Sequence, residues 1–166
     1  MEQLKRVRTR TWQSAGAHGL GLVILGLFST GCGDTLPEEV MGYRTRCIQM
    51  NVEPIEPTAA DPHDGFKDVF ACNVTLDQLR DPSNGAPVRP FPDGTMLVKE
   101  SSKEGQDYPW LVATMEKKSG TWEWHEYTRN FGDEDFVHIV GGPSVCTDCH
   151  RTVEALDWVY TTYESR

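Results

Sequence analysis

The chain has 166 residues and a net charge of −9, from 16 basic and 25 acidic side chains. This excess of carboxylates argues against nucleic acid as a partner and against attachment to an anionic membrane surface through charge. The length is enough for one modest hydrophobic core, so the sequence predicts a single folded domain over residues 37–166.

The N-terminus has the pattern of an export signal. Four basic residues within the first ten precede an apolar stretch at 15–28, which is shorter than the ~20 residues that a transmembrane helix needs. Small residues then lead to Cys32, which predicts a lipoprotein signal over residues 1–31, a lipidated Cys32 and a linker at 32–36. An ordinary secretory signal with an incidental Cys32, or an uncleaved anchor, is the alternative. In each case we expect a protein of the periplasm or cell envelope.

The residues that follow predict an α+β fold, mainly an antiparallel β-sheet with a few short helices. A capping Thr35 and two acidic residues in the next turn predict a helix that ends near Met50. Prolines and glycines predict loops at 51–66 and 80–94. The predicted strands are 68–74, 95–101, 110–117 and 122–127, and an irregular stretch at 128–145 precedes a short helix at 152–158. Strands joined by short turns, without βαβ alternation, indicate a meander.

The sequence Cys146-Thr147-Asp148-Cys149-His150 has the attachment pattern of c-type haem. In this interpretation both thiols form thioethers with the vinyl groups of the porphyrin, and His150 is the proximal ligand of the iron. A redox dithiol or half of a zinc site is the alternative for CxxC alone, but no second CxxC is present. No methionine follows His150, which argues against the common helical electron-transfer cytochromes.

The cysteine count then predicts a disulfide. Of five cysteines, Cys32 is assigned to lipid and two belong to the CxxCH motif, which leaves Cys47 and Cys72 in an oxidising compartment. A bond between them would close a loop of about 25 residues and stabilise the domain by ~3 kcal/mol. Two buried free thiols are the alternative.

Several motifs, taken in order, resemble the cytochrome P-460 family, which includes the cytochrome c′-beta proteins. They are the turn Phe91–Thr95 (FPDGT), the strand end Val98-Lys99-Glu100, the hairpin with Gly120 and Trp122, the C-terminal CxxCH and the tail Asp157–Thr161 (DWVYT). The resemblance covers roughly residues 37–163. It implies a mostly antiparallel sheet, a homodimer and one covalent haem c whose iron is open on the distal side.

The resemblance also implies two branches of function. In the hydroxylamine-oxidising members a lysine is cross-linked to the porphyrin and a carboxylate moves protons, which makes Lys99 the candidate for the cross-link. In the c′-beta members the cross-link is missing and nitric oxide binding is the suspected role. An exposed Lys99 paired with an acid is the alternative. For the carboxylate we prefer Glu126, which shares a strand face with Trp122 and Trp124, and hold Asp135 in reserve.

Three histidines are candidates for a second axial ligand, which would close the iron to substrate: His63, His125 and His138, of which His138 is nearest the haem motif. The sequence therefore predicts an exported mono-haem c protein that oxidises hydroxylamine or a similar nitrogen compound and passes electrons to a redox partner protein. A nitric-oxide-binding protein without turnover and a simple electron-transfer cytochrome are the alternatives.

Overall fold

An antiparallel sheet, whose strands pair in the order in which they occur in the chain, forms the centre of the molecule. The computed structural model describes residues 36–59, 61–139 and 143–165. Within these ranges the sheet has six strands: β1 (Ile48–Gln49), β2 (Phe66–Cys72), β3 (Met96–Ser102), β4 (Leu111–Lys118), β5 (Thr121–Thr128) and β6 (Val137–Ile139). The predicted α+β class, with a mainly antiparallel sheet and a few short helices, is confirmed. The predicted export signal and Cys32 lie outside the described residues.

Alternation along the strands divides the core into two clusters, one on each face of the sheet. One face carries Phe70, Val98 and Val112, which pack with residues from the N-terminal segment. We call it the closed face. The opposite face carries Leu97 and Met115, which pack with residues from the C-terminal segment. We call it the cavity face, because it borders a cavity described below.

The N-terminal segment covers the closed face with turns and one short helix, α1 (Tyr43–Arg46). The predicted helix from Thr35 to about Met50 is wrong in its extent. Gly42 has a φ of 72°, a left-handed conformation that an α-helix cannot continue through. Tyr43 packs edge-to-face on Phe70, with ring centroids 5.2 Å apart.

A disulfide ties this segment to the sheet. Cys47 follows α1 and Cys72 ends β2, and the two are bonded with Cα atoms 4.5 Å apart. This is the pairing that the cysteine count predicts. The strand predicted at 68–74 begins and ends two residues earlier, because Asn73 has a φ of 60° and interrupts the extended backbone.

One further helical segment lies between β2 and β3, and another follows the last strand. A short helix α2 (Leu76–Leu79) precedes the proline-rich loop, and α3 (Pro143–His150) follows β6 and runs directly into a 3₁₀ helix (Arg151–Leu156). The prediction of irregular structure over 128–145 therefore misses β6 and the start of α3. The helix predicted at 152–158 is shorter than expected, because Asp157 and Trp158 both adopt positive φ.

The described residues belong to one compact unit. None of the helices in this part of the chain is both long and apolar enough to cross a lipid bilayer.

Candidate haem-binding site

A cavity of about 500 Å³ lies on the cavity face of the sheet, against the C-terminal helical segment. Its walls include Val69, Leu97 and Met115 from three neighbouring strands. This volume is within the ~300–1,000 Å³ that small-molecule and cofactor sites usually have. Apolar walls with a few ionisable groups are also typical of such sites.

The CxxCH motif forms the helical wall of this cavity. Cys146, Cys149 and His150 all line it. Because residues three and four apart lie on the same face of a helix, α3 presents the first cysteine together with the second cysteine and the histidine. Both thiols are free. Burial raises the pKa of the Cys146 thiol, and the nearby charge of Glu126 acts in the same direction.

His150 is held by a hydrogen bond on one side of its ring. Its Nδ1 lies 2.6 Å from the carbonyl oxygen of Trp158. Since a carbonyl can only accept, Nδ1 carries the proton and Nε2 keeps its lone pair for a ligand bond. Burial lowers the pKa of the imidazole, and the bond to Trp158 opposes that shift. The rings of Trp124 and Tyr160 contact the imidazole edge-to-face, with centroids 4.6 and 5.1 Å away.

Lys99 reaches the same cavity from β3. It shares the cavity face with Leu97, while Met96 and Val98 belong to the closed face, as alternation predicts. Its Nζ lies 2.7 Å from Nδ1 of His63. Burial lowers the pKa of Lys99 to about 8, against the opposing charge of Asp61. The amine therefore loses its proton more readily than an exposed lysine does.

Of the two candidate carboxylates, the structure brings only Glu126 to the cavity. Glu126 lines it from β5, and burial raises the pKa of its carboxyl group while the charge of Lys99 opposes the shift. Asp135 is exposed in the connection between β5 and β6 and does not line the cavity. The strand register explains why Glu126 can face the cavity. Glu126 lies opposite Ala113 of β4, whose small side chain leaves room for the carboxyl group.

Of the three histidines that are candidates for a second axial ligand, the structure brings His63 and His125 to the cavity but not His138. His138, the nearest to the motif in sequence, does not line the cavity; it stacks on Tyr127, and its Nε2 lies 3.3 Å from Nδ1 of His125. His63 instead lines the cavity beside Lys99. Burial and the neighbouring charge of Lys99 lower the pKa of His63 to about 4, so its ring is neutral at neutral pH.

The loop that carries His63 is fixed by contacts with side chains of β2 and β3. The hydroxyl of Ser101 donates to the carbonyl oxygens of His63, at 2.9 Å, and of Asp64, at 2.6 Å. The carboxylate of Asp61 accepts from Nζ of Lys67 at 2.7 Å. No local pattern in this proline-rich loop predicts the contacts with Ser101, although the pair Asp61-Pro62 is a turn signal.

Among the described residues, no group of three or more His, Cys, Asp or Glu side chains could hold a metal ion by itself. No protein-family model matches this chain. No curated protein matches it either. The resemblance to cytochrome P-460 proteins thus stays a prediction from sequence motifs, and the function of the site has to be argued from its own side chains.

Proposed function

We propose that this protein is an exported c-type haem protein in which Cys146 and Cys149 carry the haem through thioether bonds and His150 is an axial ligand. One observation carries the proposal. Both free thiols and an imidazole with its Nδ1 already bonded line the same cavity. Attachment would add each thiol across a vinyl group, so that sulfur bonds to carbon and the thiol proton goes to the other vinyl carbon.

The surrounding residues fit such a group. The apolar walls from Val69, Leu97 and Met115 suit a porphyrin, and the ring of Trp124 holds the imidazole in place from one edge. The neutral, Nδ1-protonated state of His150 is the one that can bind iron through Nε2. The free thiols of Cys146 and Cys149 are available for the covalent bonds.

The ionisable groups of the cavity favour oxidation of hydroxylamine or a similar small nitrogen compound. Bound haem would supply an iron that binds the nitrogen and takes up its electrons for transfer to a redox partner protein. Glu126 would accept the protons, since a buried carboxyl group with a raised pKa is a better base near neutral pH than an exposed one. Lys99 is the candidate for a cross-link to the porphyrin, because burial favours the neutral, nucleophilic amine. In that cross-link the amine nitrogen would bond to a porphyrin carbon, the amine and that carbon would each lose one hydrogen, and an added two-electron oxidant such as a peroxide would accept the electrons.

A second candidate function follows from His63. This neutral imidazole lines the same cavity as His150, and Lys99 occupies only its Nδ1. Ligation of the iron by His63 as well as His150 would close the site to substrate and leave an electron-transfer cytochrome. Nitric oxide binding without turnover is the third possibility for an iron with a free position.

The first experiment tests attachment. The full chain is produced together with a haem-c maturation system, and intact mass and the pyridine haemochrome spectrum are measured. We expect one covalent haem in the native protein and none in the double variant Cys146→Ala/Cys149→Ala. The matched control Cys47→Ala/Cys72→Ala also loses two cysteines but should keep its haem. Absence of covalent haem in the native protein, or its persistence in the first variant, would contradict the proposal.

The second experiment separates the functions by absorption spectra. A strongly red-shifted ferrous Soret band that Lys99→Ala abolishes would support the cross-linked enzyme. A low-spin spectrum that becomes high-spin in His63→Ala would support the electron carrier instead. A high-spin spectrum without the red shift that changes on addition of nitric oxide, together with no turnover of hydroxylamine, would support the third possibility.

A further inference from the structure

We propose that Asp157 is a positioning residue for His150: with Lys117 it holds the backbone of residues 157–158 in the conformation that presents the Trp158 carbonyl oxygen to the imidazole. The proposal rests on the proposed function, since it concerns the residue that we assign as the iron ligand. The hydrogen bond itself belongs to the polypeptide, so it can be measured with and without haem.

The backbone that carries this carbonyl is in an unfavourable conformation. Asp157 has a φ of 58° and Trp158 a φ of 67°, and neither residue is glycine. Two successive left-handed residues are rare, and a bulky side chain such as that of Trp158 adopts this region reluctantly. Such a turn persists only where other contacts hold it.

Asp157 supplies these contacts with three of its atoms. Its Oδ1 accepts from Nζ of Lys117, and both side chains are almost fully buried. Its Oδ2 accepts from the backbone N–H of Phe91 at 2.8 Å, and its carbonyl oxygen accepts from Nε1 of Trp122 at 3.0 Å. The carboxylate therefore joins the turn to β4 and to the segment before β3, while the indole of Trp122 joins it to β5.

The residue after this anchored carboxylate bonds the proximal imidazole. The carbonyl oxygen of Trp158 is 2.6 Å from Nδ1 of His150, and Val159, the next residue, is buried. Partners of this kind fix the tautomer and ring orientation of a metal-binding histidine and raise its basicity. Loss of the contacts of Asp157 should therefore displace the carbonyl group of Trp158 and weaken its hydrogen bond to the imidazole.

The first test measures the tautomer of His150 directly. Nitrogen-15 NMR of the full chain without haem, at a pH where the ring is neutral, reports which ring nitrogen carries the proton. We expect the Nδ1–H form to dominate in the native protein and its excess over the Nε2–H form to fall at least ~10-fold in Asp157→Ala. Asp157→Asn should be intermediate, because asparagine tolerates positive φ and can still accept from Phe91 but loses the ion pair.

A matched pair of lysine variants tests the role of Lys117, the ion-pair partner of Asp157. Lys117→Met removes the buried partner of Asp157, whereas Lys118→Met removes the neighbouring exposed lysine, which pairs with Glu116 and Glu123. Only the first should change the tautomer ratio. If Asp157→Ala fails to fold, the tautomer ratio of His150 is compared between Lys118→Met and the two variants Asp157→Asn and Lys117→Met. Equal ratios in all three would overturn the proposal.

In the haem-loaded protein we expect Asp157→Ala to lower the iron–histidine stretching frequency in resonance Raman spectra and to raise the reduction potential. An unchanged tautomer, frequency and potential in variants with reduced thermal stability would overturn the proposal and leave Asp157 a purely structural residue. Failure of the proposed function looks different: no haem attaches, while the tautomer measurement still gives its answer.

Discussion

The two faces of the sheet are formed by the same strands but differ in packing: one is filled by side chains and the other borders a cavity. On the closed face the N-terminal segment fills the space above Phe70, Val98 and Val112, and a disulfide fixes it there. On the cavity face the C-terminal segment leaves about 500 Å³ between itself and the sheet.

The neighbouring charged residues Lys99 and Glu100 of β3, which point to opposite faces, also differ in their partners. On the closed face the carboxylate of Glu100 accepts from Tyr43 and Arg44, so its negative charge is matched inside the protein. On the cavity face Lys99 has a neutral imidazole as its hydrogen-bond partner, at 2.7 Å. Burial shifts the pKa values of Lys99, His63 and Glu126, which all line the cavity, and such groups are typical of functional sites.

The largest expected effect concerns packing on the closed face. Phe70→Ala should lower the free energy of unfolding by ~3–5 kcal/mol, because it leaves a void between the sheet and Tyr43. Trp124→Ala, on the cavity face, should cost less, since its ring is half-buried and already borders empty volume. Urea denaturation of the haem-free chain measures both. Equal costs would mean that the two faces are packed alike.

Removal of the disulfide should have the next largest effect. Cys47→Ala/Cys72→Ala should lower the free energy of unfolding by ~3 kcal/mol in the chain-entropy model, since the bond closes a loop with a sequence separation of 25 residues. Denaturant titration of the native protein under oxidising and reducing conditions gives an independent value. The disulfide lies on the closed face, so its removal should leave the absorption spectrum of haem bound on the cavity face unchanged. A large spectral change would contradict the view that the two faces act independently.

A pH-dependent effect is expected from His63. Its pKa is about 4 in the folded protein against 6.5 as its ordinary value, so the folded state binds fewer protons than the unfolded state between these values. Stability should therefore fall by ~2–3 kcal/mol as the pH drops from about 6.5 to about 4. His63→Gln should remove this part of the loss, as judged from urea midpoints at several pH values. A variant with the native pH profile would show that other groups are responsible.

The smallest effect has the opposite sign. Lys99→Met should raise the free energy of unfolding at pH 7 by ~1–2 kcal/mol, because a buried cation is replaced by an apolar side chain of similar length. The folded pKa of Lys99, about 8, lies below its ordinary value of 10.5. The advantage should thus shrink as the pH rises from 8 to 10.5, and thermal melts across this range test it. A destabilised variant at pH 7 would mean that the contact with His63 outweighs the desolvation of the amine.

The sequence predicts the central strands well because local signals define them. Strands predicted at 95–101, 110–117 and 122–127 each agree with β3, β4 and β5 to within one residue at either end. Turns with Gly94 and Gly120, both at positive φ, bound these strands. The long N-terminal helix was wrong because one left-handed residue, Gly42, outweighed the helical spacing of its neighbours.

The site residues that lie on strands could be predicted from the alternation of side chains between the two faces of the sheet. The site residues that depend on the packing of loops could not. Strand faces alone bring Lys99 and Glu126 to the cavity. His63 reaches it only through a loop held by the hydroxyl of Ser101, 38 positions away in sequence. The bond from His150 to Trp158 likewise depends on a turn with two positive φ values, and a tryptophan gives no signal for such a conformation.

The order of the strands has a consequence for the order of folding. Each strand pairs with the one before it in the chain, and such short-range pairing favours rapid folding. The CxxCH helix follows the last strand, so the floor of the cavity can form before the helix docks on it. Under the proposed function, haem would be attached to the C-terminal segment while the sheet is already folded, and docking of the modified helix would enclose the haem.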